Sequence, residues 1–412
     1  MGLDDCRKLS SETKCIIEMN KIIYLIEQPL DERNFSRFGI QNWIDNGWHV
    51  EIWDLTPLVY PAVWQHFNES EHQFVAYNEY YPVMIKNDLS KLYKTHKVAD
   101  YFVDLTGISL DAIRVKLYLI RAGAIRITCS SGDMPTVDFK KSRVSTSKLT
   151  SFTFSTLIRV YKEVLQKIAY RLIRHYFKSG ITVVAGKKSL SESQAGYTGR
   201  DIIKAHNFDF DTYLNLSKSN SIPSNCYAVF IDQDMCFHPD VLYNSGVAYA
   251  TPEQYFPTIC HGLETISDFT GVVIKIAAHP RSTYSSQKVK VFRDIPIEYG
   301  KTAELIYNAK FIMCHYSTAI QLGILFKKPI IFITTDEFEL SFISSYMRKL
   351  AGLLGKRVIN LDSDLSIVNW GKELKVDSNK YDEYIDKYIK ISGSDELPFW
   401  DIVLNHIKSV DK

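Results

Sequence analysis

Short apolar runs alternate with helical stretches along most of this chain, and that rhythm restricts the fold more than any other feature. "NKIIYLIEQPL" (20–30) is an apolar run ending in polar residues, "NFSRFGIQNWIDNGW" sets Ile40, Trp43 and Ile44 at helical spacing, and "HVEIWDL" is a second strand. A strand, a helix and a strand in so short a span make a βαβ unit, whose crossover forces parallel pairing. The pattern returns in "KVADYFVDLTG", in "SLDAIRVKLYLIRAG" closed by Gly123, in "AIRITCSSGD" and in "ITVVAGKKS". The second half repeats it: "CYAVFID", "GVVIKIAAHP", "AKFIMCH", "KPIIFIT" and "RVINLD" read as strands, with helical stretches near 252–267 and 302–309. The expectation is an α/β protein of two Rossmann-like domains, residues 1–215 and 216–385, divided in the loop-like region near 212–222. A helical segment, 386–412, is expected to pack back across the junction.

With 412 residues and 46% hydrophobic content the chain can fill two such cores. Its formal net charge of +2 excludes a globally basic nucleic-acid binder, and no nucleic-acid partner is expected. The seven cysteines are odd in number and form no C-x-x-C pair, which reads as buried free thiols in a reducing compartment. The polar start "MGLDDCRKLSSETKC" lacks a signal-peptide apolar stretch, and no apolar run approaches the ~20 residues of a membrane span, so a cytoplasmic protein is expected. "FSTLIRVYKEVLQKIAYRLIRHYFKSG" (154–180) is the longest helical stretch, with an apolar stripe and a basic face that includes Arg159, Lys162, Lys167, Arg171 and Arg174. Two readings stay open for it: peripheral contact with the cytoplasmic face of an inner membrane, or a packing helix with a solvated basic face.

In parallel sheets, ligands bind beyond the C-terminal ends of the strands. Three strand ends in the second half carry polar clusters. "VFIDQDMCFHPD" sets Asp232 and Asp234 two apart, so that both face one way if the strand persists and either carboxylate can take a proton from a hydroxyl. Alternatively one of them caps the next segment and is structural. "VVIKIAAHPRST" ends in His279, Pro280 and Arg281: an imidazole able to donate to a departing phosphate, a proline that stops the strand, and a bidentate phosphate partner. "FIMCHYSTAIQLGILFKKPIIFIT" (311–334) opens a helix at Ser317 and Thr318, whose hydroxyls either cap it or cradle a phosphate with the free N–H groups there. Gly323 would let that helix lie close to its sheet. His238-Pro239 sits farther beyond its strand and ranks below His279, while His315 and Tyr316 have no assigned role. The sequence contains no phosphate-binding G-x-x-x-x-G-K-[ST], no G-x-G-x-x-G after a strand, no H-E-x-x-H and no G-x-S-x-G elbow, and its 11 histidines are scattered.

Together, "KIAAHPRS" and "CHYSTAIQLGILFKKPIIFIT" resemble the His-Pro and Ser/Thr motifs of bacterial glycosyltransferases of the GT-B fold. The nearest likeness is to the sialyltransferases, polysialyltransferases and Kdo transferases of capsule and O-antigen assembly. "FIDQDM" is similar to their acidic motif but has Met235 where that motif has glycine. The resemblance spans roughly residues 225–340. It implies an inverting, metal-independent transfer of a sugar such as sialic acid or Kdo, from a nucleotide-activated, CMP-linked donor to a glycan or lipid-linked glycan acceptor. No cofactor is implied, since the nucleotide-sugar is a substrate. His279 would assist departure of the donor phosphate, Ser317 and Thr318 would hold it, and Lys275, Pro280 and Arg281 would complete the donor contacts. Asp232 or Asp234 would be the base. The acceptor would meet the N-terminal domain at Glu27, Arg33, Arg37 and the "SSGD" tip (Ser130, Ser131, Asp133), with Glu27 or Asp133 as an alternative base. The polyol-phosphate transferases of teichoic-acid synthesis share this layout on a CDP-linked donor, and nucleotide-sugar 2-epimerases share the two-domain shape. A nucleotide- or glycan-binding module without catalysis is the non-enzymatic alternative.

Overall fold

The structure is a computed structural model that describes residues 19–69, 74–96, 99–130, 134–135, 168, 180–193, 201–218, 223–238, 248–280, 282, 284 and 290–410. It holds two parallel sheets. The first has seven strands in the order β3-β2-β1-β4-β5-β6-β7: β1 (Lys21–Ile26), β2 (His49–Asp54), β3 (Tyr80–Pro82), β4 (Tyr101–Leu105), β5 (Ile125–Ser130), β6 (Gly180–Val184) and β7 (Asp201–Lys204). The second has six, in the order β10-β9-β8-β11-β12-β13: β8 (Tyr227–Ile231), β9 (Val273–Ala277), β10 (Ile297–Glu298), β11 (Ala309–Cys314), β12 (Ile330–Thr334) and β13 (Val358–Asn360). Counted from its own first strand, each sheet has the doubly wound order, with β7 added at the edge of the first. The chain order therefore reverses between β1 and β4 in one sheet and between β8 and β11 in the other.

Helices on both faces explain why the central strands are apolar throughout instead of alternating. In β1, Ile22, Tyr24 and Ile26 enter one core of the first domain, and Ile23 and Leu25 enter the other. The helix Phe399–Val410 completes the first of these cores with Phe399, Trp400, Val403 and Ile407, so the C-terminal segment does cross back as expected. Trp400 donates from Nε1 to the Arg37 carbonyl (3.0 Å) and covers Gly39, where a Cβ would lie 2.2 Å from its ring.

The outward passage falls earlier than the expected 212–222. Phe210 and Leu214 of the helix Phe208–Lys218 belong to the second domain's core, which places the crossing at Ala205–Asn207. Return and outward strands of the chain are tied there. The Asn207 N–H donates to the Ile389 carbonyl (2.8 Å), its side-chain amide donates to Gln321, and the Ile391 N–H donates to the Ala185 carbonyl (3.1 Å). The basic stretch 154–180 lies outside the described residues, apart from Ile168 and from Gly180, which opens β6. Among the described residues no helix is long and apolar enough to cross a membrane. Cys129, Cys226, Cys236, Cys260 and Cys314 are free thiols; Cys226 is exposed, against expectation, and Cys6 and Cys15 lie outside the described residues.

Candidate functional site

Asp232 and Gln233 follow β8 directly and organise the strand ends on either side. The Gln233 side chain accepts from the Tyr316 N–H (2.6 Å) and donates to the Tyr316 carbonyl, clamping the chain where it leaves β11. Asp232, 2% exposed, donates its N–H to Ala277 at the end of β9 (3.0 Å). Its carboxylate accepts backbone N–H groups from Asp234, His279 and Gln233 and the hydroxyl of Tyr284. His279 is half-buried just beyond β9. Its carbonyl accepts from the Ser282 N–H (2.9 Å) and Oγ (2.8 Å), closing the turn that leaves Pro280 exposed. One residue pair that looks independent in the sequence is brought together: the His238 and His279 rings lie 4.6 Å apart between centroids. Asp234, in a left-handed conformation (φ 51°), makes the turn that returns His238, with its carbonyl accepting from Phe237 (3.1 Å) and His238 (2.8 Å).

Both aspartates face Tyr284 from buried positions. Burial, the larger cause, raises Asp232 to about 6, and burial together with the Asp232 charge raises Asp234 to about 7. Lys275 lies apart from these groups, paired with Glu298 (3.6 Å) and 4.7 Å over the ring of Tyr227, at the opposite end of β8. Arg281 lies outside the described residues.

The helix after β11 begins at Ile320, not at Ser317–Thr318. The Gln233 clamp holds Tyr316 in the bend just beyond β11, and the chain then turns, with Ile320 donating to the Ser317 carbonyl (3.3 Å) and Gln321 to that of Thr318 (3.0 Å). Ser317 Oγ accepts from the Ala319 N–H (3.3 Å), while Thr318 is exposed, so one hydroxyl closes the turn and the other is open. Gly323 has the packing role expected of it: a Cβ there would lie 2.4 Å from Ile312 Cδ1. His315 belongs to the core. Its Nδ1 faces the Ile333 carbonyl (2.7 Å), which can only accept, so Nδ1 carries the proton and Nε2 accepts from the Tyr255 hydroxyl (2.8 Å). Burial lowers this imidazole to about 4, which keeps it neutral. The Tyr316 hydroxyl donates to the Pro135 carbonyl (3.2 Å), and Gln321 donates to Met134 Sδ (3.4 Å), so the segment beyond β5 reaches the second domain. Ser130 ends β5; Ser131 and Asp133 lie outside the described residues.

At the corresponding point of the first sheet, Glu27 follows β1 and accepts from the Gly107 N–H (2.8 Å) and the Ser109 hydroxyl (3.3 Å) beyond β4. Burial raises its pKa, against these hydrogen bonds and the Lys116 charge. Lys116 Nζ sits 3.1 Å from Asp104 and donates to the Gly107 carbonyl (2.7 Å), and Arg126 meets the other Asp104 oxygen at 2.5 Å. Burial would raise Asp104, but Arg126 and Lys116 hold it below the ordinary carboxylate range. Asp54, ending β2, is raised by burial to about 6 and accepts from the Thr56 N–H (2.8 Å) and the Tyr80 hydroxyl (2.5 Å). Arg37 lies 4.9 Å from the Phe208 ring centroid, beside Asp209 at the interdomain passage, and Arg33 is exposed on the same helix. Among the described residues, His49, Glu51 and Glu79 have the spacing of a metal group, but Glu51 is already held by Lys21 (2.6 Å) and His96 (2.7 Å).

No protein-family model matches the chain, and neither does any curated protein sequence. Solved structures do resemble it in fold. The wall teichoic acid polymerase TagF has a TM-score of 0.53 at 11% identity, over 96% of this chain and 90% of that one. The calicheamicin glycosyltransferase CalG4 has a TM-score of 0.50 at 13% identity, over 96% and 100%. A putative UDP-N-acetylglucosamine 2-epimerase from Listeria monocytogenes has 0.50 at 8%, over 96% and 97%. With its two parallel sheets of seven and six strands, the chain has the GT-B architecture.

Proposed function

We propose that the chain is an inverting, metal-independent glycosyltransferase that moves a sugar from a CMP-linked donor to a hydroxyl of a glycan. The observation that carries this reading is the pair Asp232–Gln233, which ties the loop bearing His279 and the loop bearing Ser317 and Thr318 to the one strand between them. An imidazole and an open hydroxyl are thereby held at the ends of the two strands flanking β8, where a phosphate would lie. Across the cleft, Glu27 supplies a partly exposed carboxylate whose pKa burial raises, which makes it the stronger proton acceptor. Asp232 and Asp234 are buried against Tyr284, so the base role passes to Glu27. In the reaction, the acceptor oxygen loses its proton to Glu27 and bonds to the anomeric carbon, and the anomeric carbon–phosphate oxygen bond breaks. His279 donates to the departing phosphate.

A second reading is transfer of a polyol phosphate from a CDP-linked donor. It is favoured by the likeness to TagF, one structure of which was soaked with CDPG. Calorimetry against CMP, CDP, UDP and GDP tests the nucleotide site, and the reading fails if none binds. Release of CMP from CMP-sialic acid supports the sugar transfer, whereas release from CDP-glycerol alone supports the second reading.

A further inference from the structure

The Tyr284 hydroxyl lies 3.0 Å from Asp232 Oδ2 and 2.9 Å from Asp234 Oδ1, and all three residues are buried. A phenol has one proton and can donate to only one of these oxygens. With both carboxylates ionised, the other contact would set oxygen lone pairs against each other in a site closed to water. With one carboxyl protonated, that group donates to Tyr284 Oη, Tyr284 donates to the second carboxylate, and both contacts become hydrogen bonds. The two acids differ in their support. Asp232 accepts backbone N–H groups from Asp234, His279 and Gln233, whereas Asp234 accepts one, from Phe237. N–H donors favour the ionised form, which leaves the proton on Asp234.

We propose that Asp234, Tyr284 and Asp232 form a chain that keeps one proton, and that through it the ionised Asp232 holds the His279 backbone in position for the donor phosphate. Tyr284 and the two aspartates are then positioning residues. The second clause rests on the function proposed above; the first does not. The surroundings agree with a single negative charge. Tyr255 approaches from the helix Pro252–Thr270, Cys236 from the turn after β8, and His279 and Tyr299 from beyond β9 and β10; Glu253 and Glu337 act on Cys236. His315 adjoins through the Tyr255 hydroxyl. Burial keeps Tyr255 and Cys236 protonated and neutral, and the Asp232 charge adds to the rise at the exposed Tyr299, so these groups cannot offset a second carboxylate. Release of the proton from Asp234 to solvent adds that charge beside the phosphate position and strains the Asp232–His279 contact.

The proton is read without any substrate. Difference infrared spectroscopy at pH 7, above the values of about 6 at Asp54 and Asp232, should show a protonated-carboxyl C=O stretch that falls most in Asp234→Asn and is retained in Asp232→Asn. Absence of the band in the wild type overturns the proposal, as does its loss on Asp232→Asn alone. Unfolding free energy against pH gives a second measure. A carboxyl that keeps its proton above its unfolded pKa stabilises the fold at low pH, and that stability is lost as pH rises through the folded value of about 7. His315 titrates with the opposite sign in an overlapping range, so the comparison is the wild-type profile minus that of Asp234→Asn. That difference should decline between pH 4 and 7; a flat difference overturns the proposal. For positioning, CMP affinity by calorimetry should fall on the order of tenfold in Tyr284→Phe, the loss expected for one buried hydrogen bond. CMP affinity should also fall with rising pH in the wild type but not in Asp234→Asn. Unchanged affinity and an unchanged pH profile in both variants remove the positioning role. If CMP does not bind the wild type, the CMP-donor reading and the positioning role fall with it, while the infrared band and the unfolding profile still decide the proton chain.

Discussion

The two sheets share a winding order and reverse it at equivalent places, yet they finish those places with opposite electrostatics. Between β1 and β4 the chain sets charges against one another: Glu27 on the Gly107 N–H, Lys116 behind it, and Asp104 held ionised by Lys116 and Arg126. Between β8 and β11 the clamp is a neutral amide, Gln233, and the buried acids stand at raised pKa around a phenol. A departing phosphate carries negative charge and is repelled by exposed carboxylate; an acceptor hydroxyl must give its proton to one. The same topology therefore supplies two half-sites of contrasting character, and it is on that contrast that the proposed function puts the donor at the second domain and the base in the first.

The largest expected effect tests the second half-site. His279→Ala should reduce CMP release from the donor below detection while the far-UV circular dichroism stays that of the wild type. Near-normal turnover in that variant would end the leaving-group role. Next is Glu27→Gln, which should lower kcat by about 10²–10⁴-fold, the usual contribution of a general base, with CMP affinity unchanged. Because burial raises Glu27, the acid limb of the wild-type kcat profile should stand above that of an exposed glutamate and vanish in the variant. If Glu27→Gln weakens CMP instead, the division between the half-sites is wrong. The third is Gln233→Ala. It frees the Tyr316 N–H and carbonyl, loosens the loop carrying Ser317 and Thr318, and should weaken CMP about tenfold with little effect on acceptor KM.

Much of this architecture can be read from local pattern. Parallel strands buried on both faces are written as unbroken apolar runs, and β1, β2, β8, β11 and β12 are legible for that reason. The edge strands β3, β7 and β10 are short, and their residues, YYP, DIIK and IE, carry no such run. Two features of the site depend on partners distant in sequence. The helix after β11 starts at Ile320 because Gln233, 83 residues earlier, restrains Tyr316. Tyr284 acquires its partners, 52 and 50 residues away, only when the loops after β8 and β9 meet. No spacing rule within either segment points to those contacts. The same meeting explains His238, which lies too far beyond β8 to count as a strand-end residue until the Asp234 turn brings it back to His279.

The smallest effect separates the frame of the second half-site from its chemistry. Gly323 lies on the buried face of the helix Ile320–Leu325, where a methyl group would meet Ile312 Cδ1 at 2.4 Å. Ile312 Cδ1 is the end of a flexible side chain on β11, so the core can yield by moving Ile312 instead of shifting backbone. Gly323→Ala should accordingly cost about 1–3 kcal/mol in urea unfolding, the range for overpacking a filled core. The turn that carries Ser317 and Thr318 is held from its other end by Gln233, and the overpacked contact faces the sheet, away from the strand-end cleft. CMP affinity in the folded protein should therefore stay at the wild-type value. A loss of affinity matching that of Gln233→Ala would mean that the helix, and not the amide clamp, sets the position of the two hydroxyls.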